Sequence, residues 1–262
     1  MSSSSQWVVD QRGNRIHTSA IVADDVALGS NNTIGPLSVV GGLGCRVTIG
    51  DDNSVGVGSV IGAPAESASG YPGSAHLDFV VYSAINPALS GEVRIGSKCV
   101  IRDKVTIHAG LGGTTSIGDL NYLHTGTHLD HDVTSGIGVV FAPGALSSGR
   151  VSFGDFSQIG LGACLHQGSH IGAFAMVGMN ATVKGRVPEM SLHFGTPSRL
   201  RGVNAVRLAR LGLNPHKISE VELLLRSTTV SQEDRQRRLS EMLETLLAVA
   251  TTQALRAWGG ET

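Results

Sequence analysis

A period of six governs this chain. Stepping by six from Ile117 gives Ile117, Leu123, Leu129, Ser135, Phe141, Ser147, Phe153, Ile159, Leu165, Ile171, Val177 and Val183, and ten of these twelve positions are apolar. The same step runs earlier through Ile16, Val22, Leu28, Ile34 and Val40, then Ile49, Val55 and Ile61, then Ile95, Ile101 and Ile107. Six matches neither the 3.6-residue turn of a helix nor the two-residue alternation of a single strand. It fits short strands joined by corners, each strand sending one large aliphatic group inward. Glycine often follows the ladder residue, as in Ile34-Gly35, Ile117-Gly118 and Ile159-Gly160, and lets the corner close. Three such strands make a triangular coil of 18 residues, with successive coils about 4.8 Å apart. Residues 18 apart in sequence therefore become neighbours in space. The expected fold is all-β, a left-handed parallel β-helix of hexapeptide repeats over residues 1–197, followed by a C-terminal α-helical domain over 198–262.

Composition agrees with a coiled backbone of many tight corners: 35 of 262 residues are glycine, only 4% are aromatic and 16% are charged. A formal net charge of -1 supplies no long-range field to gather nucleic acid or an anionic membrane. Cys45, Cys99 and Cys164 are widely spaced and form no CxxC pair, so neither a disulfide framework nor a zinc ribbon is expected, and a reducing cytoplasm fits. The opening MSSSSQWVVD has no basic segment followed by an apolar run, and no 18 apolar residues are consecutive, so neither a standard export signal nor an integral membrane segment is expected.

Breaks in the ladder locate excursions. The largest runs from about Gly62 to Ser90 and reads as a projecting loop; a shorter one, GLGGTT from Gly110 to Thr115, re-phases the repeat. After Pro188 the period changes. Ile218, Val221 and Leu225, then Leu239, Met242, Leu243, Leu246 and Leu247, fall at helical spacing. Ser231 with Asp234 three residues on, and Pro215 followed by Ser219 and Glu220, mark helix starts. Two or three helices are expected to cap the open end of the solenoid, whose strand edges otherwise invite aggregation.

The densest chemistry is LHTGTHLDHD, which holds His124, His128, Asp130, His131 and Asp132. Leu123 and Leu129 point inward, so His131 and Asp132 fall toward a corner and the outer surface. Gly149, 18 residues after His131, stacks one coil away and can bring its backbone N–H near whatever His131 acts upon; Arg150 likewise stacks on Asp132. His166 sits nearly two coils on, on the same side of the prism. The functional reading is a general base: a neutral imidazole takes a hydroxyl or amine proton, Asp132 holds the other ring N–H, and the Gly149 N–H stabilises an oxyanion.

THLDHD, the preceding IRDKVTIHAG and the later FGDFSQIGLGACLHQGSHIG resemble the UDP-N-acetylglucosamine O-acyltransferases of lipid A biosynthesis. The resemblance extends to NRIHTSAIVADDVALGSNNTIGP and TPSRLRGVNAVRLARLG, and covers most of the chain except residues 62–90 and the last helices. It implies a cytoplasmic homotrimer with active sites between neighbouring prisms. The implied donor is an acyl carrier protein thioester, the acceptor a small molecule, and no cofactor or metal is needed beyond the carrier's phosphopantetheine. It assigns His131 as catalytic base, Asp132 as its orienting partner and Gly149 as oxyanion donor. His128, His166 and Gln167 match residues lining the acceptor pocket, and Asn204 and Arg210 match positions contacting nucleotide sugar or carrier. Met179 aligns with a hydrocarbon ruler, where Met blocks a long chain, so a short or medium acyl group is implied. An acidic carrier would dock on a basic rim, for which Arg186, Arg199, Arg201, Arg207 and Arg210 are available.

The chain also departs from that family. Arg150 stands where the family has a further His, Leu211 replaces the second of two adjacent arginines, and residues 62–90 show no match to the short basic loop that grips the acceptor's phosphates. Arg150 is counted with the acceptor-binding residues on its position. N-acylation of an amino sugar, or transfer to a specialised metabolite, is therefore open on the same scaffold. Two other classes compete: a zinc enzyme resembling the γ-class carbonic anhydrases, with His124, His128 and His131 supplying nitrogens, and a non-catalytic solenoid that binds a partner through its loop.

Overall fold

The computed structural model describes residues 6–42, 44–65, 91–227 and 230–259. Most of the excursion expected over 62–90 lies outside the described residues. Within them the six-residue period becomes three sheets of 11, 8 and 8 short strands, the parallel β-helix that the ladder predicts. Leu123, Phe141, Ile159 and Val177 stand on consecutive paired strands of one face, the last pair closing through Ile159 and Val177. Leu129, Ser147, Leu165 and Val183 do the same on the second face, and Ser135, Phe153 and Ile171 on the third. Insertions leave the sheets continuous: Ile34 still pairs with Val55 across Gly41–Gly44, and Ile101 with Leu123 across the GLGGTT segment.

The corners follow a rule of their own. At every sixth residue from Leu120 to Asn180 the backbone has positive φ, with glycine at 126, 138, 144, 162 and 168 and side chains at Leu120, Asp132, Arg150, Phe156, Phe174 and Asn180. The next residue turns inward and is small or β-branched: Thr127, Val133, Val139, Ala145, Val151, Ser157 and Ala163 are each at most 1% exposed. The core thus has two inward positions per strand and corner, one large and one small. The positive-φ residues stack into three edges: Leu120, Gly138, Phe156 and Phe174 on the first, Gly126, Gly144, Gly162 and Asn180 on the second, Asp132, Arg150 and Gly168 on the third.

The first edge carries the helices α1 (Ala205–Arg210), α2 (Pro215–Arg226) and α3 (Gln232–Gly259). Phe156 and Phe174 stack there with ring centroids 5.5 Å apart, and with Met190 they form the floor of a second core holding Leu208, Leu211, Val221, Leu224, Leu239 and Leu246. Asn214 caps α2, its Oδ1 accepting from the Lys217 amide at 2.9 Å, and the Ser231 hydroxyl accepts from the Asp234 amide ahead of α3. The helices were expected to cap the open end; α2 does pack on the terminal strand Arg199–Val203, with Arg226 Nη2 donating to Arg201 O, but the helical core as a whole is seated on the first edge. Two aromatic rings that point outward from positive-φ corners give an apolar ridge, and the helices bury it. The end itself is closed by an antiparallel hairpin, Ser191–Phe194 with Arg199–Val203, and by the turn between its strands, where Thr182 donates to Gly195 O and Ser198 to Thr182 O.

His193, on that hairpin, is 9% exposed, and its Nε2 is buried with no hydrogen-bond partner among the described residues. Burial holds its pKa below the ordinary histidine value, and His170 and His124 are lowered by burial as well. A depressed histidine binds its proton more readily in the unfolded chain, so it contributes stability above the unfolded pKa of about 6.5 and that contribution is lost as pH falls. Thermal unfolding is expected to shift to lower temperature between about pH 7 and 5, a window above the carboxylate titrations, and His193→Gln to flatten the dependence. An unchanged slope in that variant counts against His193 as a source.

Candidate functional site

The third edge holds the acid–base pair. Asp132 takes the positive-φ corner position, where a short polar side chain is better tolerated than most, and this turns its carboxylate back onto the preceding residue. His131 Nδ1 lies 2.9 Å from Asp132 Oδ2. His131 was expected at a corner and toward the surface. It is at the corner but only 6% exposed, because its ring lies against the next coil. A Cβ built on Gly149 would fall 2.4 Å from both Cε1 and Nε2 of His131, so the edge of the imidazole away from Asp132 rests on the Gly149 Cα. The neighbouring amides are committed, Ser148 to Leu165 O and Arg150 to His131 O. Among the described residues nothing accepts from the Gly149 N–H.

Four contacts at this site, two of Asp132 and two of His128, were not legible as 18-residue neighbours. Asp132 Oδ2 also accepts from the Leu111 amide at 3.3 Å, and a Cβ on Gly113 would come within 2.5 Å of Asp132 Oδ1. His128 Nδ1 lies 2.7 Å from Thr106 Oγ1, and its ring meets His108 edge-on at 5.1 Å. His108 is itself buried, with Nδ1 donating to Pro64 O at 2.7 Å. The GLGGTT insertion displaces the register here, so His128 pairs with Thr106, 22 residues back, where a step of 18 points to Gly110. The glycine-rich insertion next to the ladder was the available signal.

The remaining predicted residues divide. Arg150 Nε is 3.9 Å from Asp132 Oδ2, with a side chain 59% exposed, so it borders the pair without a direct hydrogen bond to it. Gln167 follows His131 and Gly149 along the third edge, and His166, whose Nδ1 donates to Gln167 O at 3.0 Å, is exposed beside it. His128 stands outward on the sheet that joins the third edge to the second, above Leu146 and Cys164. Met179 is 67% exposed on the second edge, at the far side of that same face, with Leu161 (51%) one coil before it. The structure does not bring Asn204 or Arg210 to this site within the chain. Asn204 is buried on the first edge, its Nδ2 donating to Phe174 O at 2.9 Å and its amide to Met190 O, which pins α1 to the corner; Arg210 is exposed at the end of α1. Leu211 belongs to the helical core. Of the five arginines of the expected rim, Arg186 pairs with Glu189 and Arg207 is half-buried, leaving Arg199, Arg201 and Arg210 exposed. Among the described residues no three His, Cys, Asp or Glu side chains converge to hold a metal ion, and His124 lies away from His131, against Tyr122.

No protein-family model matches the chain. Curated proteins do. The acyl-[acyl-carrier-protein]–UDP-N-acetylglucosamine O-acyltransferase of Stenotrophomonas maltophilia is 37% identical over 145 residues, 53% of this chain and 55% of that protein. The protein of the same name from Sinorhizobium fredii is 29% identical over 217 residues, 76% of this chain and 74% of that one. This chain resembles the UDP-N-acetylglucosamine O-acyltransferases. The chain spans a little over half the length of the first of these relatives. Solved structures agree on the fold. LpxA from Acinetobacter baumannii has a TM-score of 0.67 at 23% identity, covering 87% of this chain and 91% of that one. The UDP-N-acetylglucosamine acyltransferase of Arabidopsis has 0.62 at 23%, covering 97% and 98%. No helix among the described residues is long and apolar enough to cross a membrane.

Proposed function

We propose that the protein is an acyltransferase that moves an acyl group from an acyl carrier protein thioester to a hydroxyl of UDP-N-acetylglucosamine or a related nucleotide sugar. The observation that carries this is the His131 imidazole held between the Asp132 carboxylate and Gly149; the relatives' printed names supply the donor and acceptor classes. Nε2 of His131 removes the acceptor proton as its oxygen attacks the thioester carbonyl. Asp132 fixes the ring with Nδ1 protonated and stabilises the imidazolium. The Gly149 N–H faces the oxyanion of the tetrahedral intermediate. On collapse the C–S bond breaks and the imidazolium returns its proton to the departing phosphopantetheine thiolate. His128, Arg150, His166 and Gln167 border the acceptor's place. Asn204, within one chain, acts by anchoring α1, and Arg210 is left for the carrier or for a neighbouring subunit of a homotrimer.

The acyl chain runs from His131 across the face carrying Leu146 and Cys164 toward Leu161 and Met179, exposed apolar groups on one side of the prism. Met179 at the far edge sets its length. The test is a mass-spectrometric screen of acyl carrier donors from about two to fourteen carbons, a span that moves the chain's contacts across this face. The acceptors are UDP-N-acetylglucosamine and other nucleotide sugars, and Met179→Gly is compared with the wild type. The wild type is expected to give an O-acyl nucleotide sugar from short or medium donors and the variant to shift the preference to longer ones. Absence of acylated product with every donor would sink the proposal, and an unshifted preference would remove Met179 as the ruler.

A further inference from the structure

A cavity of about 550 Å³ lies on the first edge, between the last turns of α3 and the solenoid. Its walls are mostly apolar, among them Val140, Phe156, Ala254 and Trp258, and two cations, Lys98 and Arg207, enter it. Lys98 has its counter-charge: Nζ is 2.7 Å from Asp52 Oδ2, and it sits 5.9 Å from the centre of the Trp258 ring. Arg207 does not. Its guanidinium lies 6.0 Å from the centre of the Phe156 ring, its Nε is buried without a hydrogen-bond partner, and no carboxylate among the described residues pairs with it. Burial and the nearby Arg210 both weaken its hold on its proton. A ring face offsets only part of the cost of burying the Nε–H of a half-buried guanidinium, and a mostly apolar pocket with a few polar groups is the usual form of a small-molecule site.

We propose that this cavity binds a small organic monoanion with an apolar or aromatic body, its acid group on the Arg207 guanidinium and its body between Phe156, Val140 and Trp258. The site is separate from the third edge and independent of the acyl-transfer reading. A carboxylate or sulfonate fits both needs: the planar guanidinium offers paired donors, and the alanine-lined side of α3 leaves room for a flat body.

Glu261 follows α3 in the sequence and carries a carboxylate, so the test separates it from an added ligand. Binding of 8-anilinonaphthalene-1-sulfonate and of its uncharged counterpart N-phenyl-1-naphthylamine is titrated by fluorescence on the full chain. The sulfonate is expected to bind at least about tenfold more tightly than the neutral probe. Arg207→Met should abolish that difference, Arg207→Lys should keep most of it, and Ala254→Leu, which fills the cavity, should weaken both probes. Equal affinity for the two probes, or an undiminished preference in Arg207→Met, overturns the proposal. So does a full chain that binds neither probe, including the case in which a chain ending at Gly259 binds them, which would make the cavity the seat of the protein's own tail. A sulfonate held near His131 by the exposed Arg150 would keep its preference in Arg207→Met, so only the preference lost in that variant is assigned to this cavity.

Discussion

Gly149→Ala is expected to lower turnover about a hundredfold to a thousandfold while leaving the fold intact. The backbone at Gly149 does not need positive φ, so alanine is locally acceptable there; the obstacle is the His131 ring, 2.4 Å from the place the new methyl must occupy. The imidazole has to swing off the Gly149 Cα, and the 2.9 Å contact with Asp132 opens with it. Gly144→Ala on the second edge is the opposite case. A Cβ there meets nothing within 4 Å, but φ is +67°, so the substitution costs about 1–2 kcal/mol of stability and leaves turnover alone. Steady-state rates and thermal unfolding of the two variants check the pair. Equal losses of activity, or a Gly149→Ala enzyme at full rate, would contradict the placement of His131.

The largest stability effect is expected at the phenylalanines of the core. Phe141 is 1% exposed, and its ring meets Phe153 edge-on at 4.8 Å. Phe141→Ala should cost about 3–5 kcal/mol by denaturant unfolding. The two polar steps of the ladder, Ser135 and Ser147, explain how the rings fit. Ser135 pairs directly with Phe153 on the third face, and Ser147 is the inward residue of the strand between Phe141 and Phe153, so short inward side chains flank the two rings. Ser147→Leu, at a position 2% exposed, should therefore destabilise by about 1–3 kcal/mol through overpacking, although it completes the apolar pattern. A neutral or stabilising Ser147→Leu would show that the serine is not making room for the rings.

The large inward residues were legible in sequence because one aliphatic group per strand repeats every six positions and no other periodic structure shares that spacing. The small inward residues were not. Val133, Ala145 and Ser157 share a position but no chemistry, since what selects them is volume beside a tight corner. The helices were legible as helices from their spacing and caps, yet their seat along the first edge was not, because it is set by Phe156 and Phe174, which as isolated aromatics in a β pattern look like surface exceptions. At the candidate site, the step of 18 placed Gly149 on His131 without error wherever the repeat was unbroken. It failed for Thr106, Leu111 and Gly113, where four extra residues before Thr114 shift the register. Asn204 shows a different limit. Its position matched a binding residue by resemblance, while in this chain its side chain holds the Phe174 carbonyl on the edge that bears the helices.

The central claim, that His131 is the base of an acyl transfer on the third edge, is tested most directly by the turnover of His131→Ala with an acyl carrier donor and UDP-N-acetylglucosamine, measured beside its unfolding temperature. The account predicts a fall of about a hundredfold to ten-thousandfold with the unfolding temperature changed by no more than a few degrees, since the ring makes one side-chain hydrogen bond at the margin of the core. Undiminished turnover in a folded variant would contradict it.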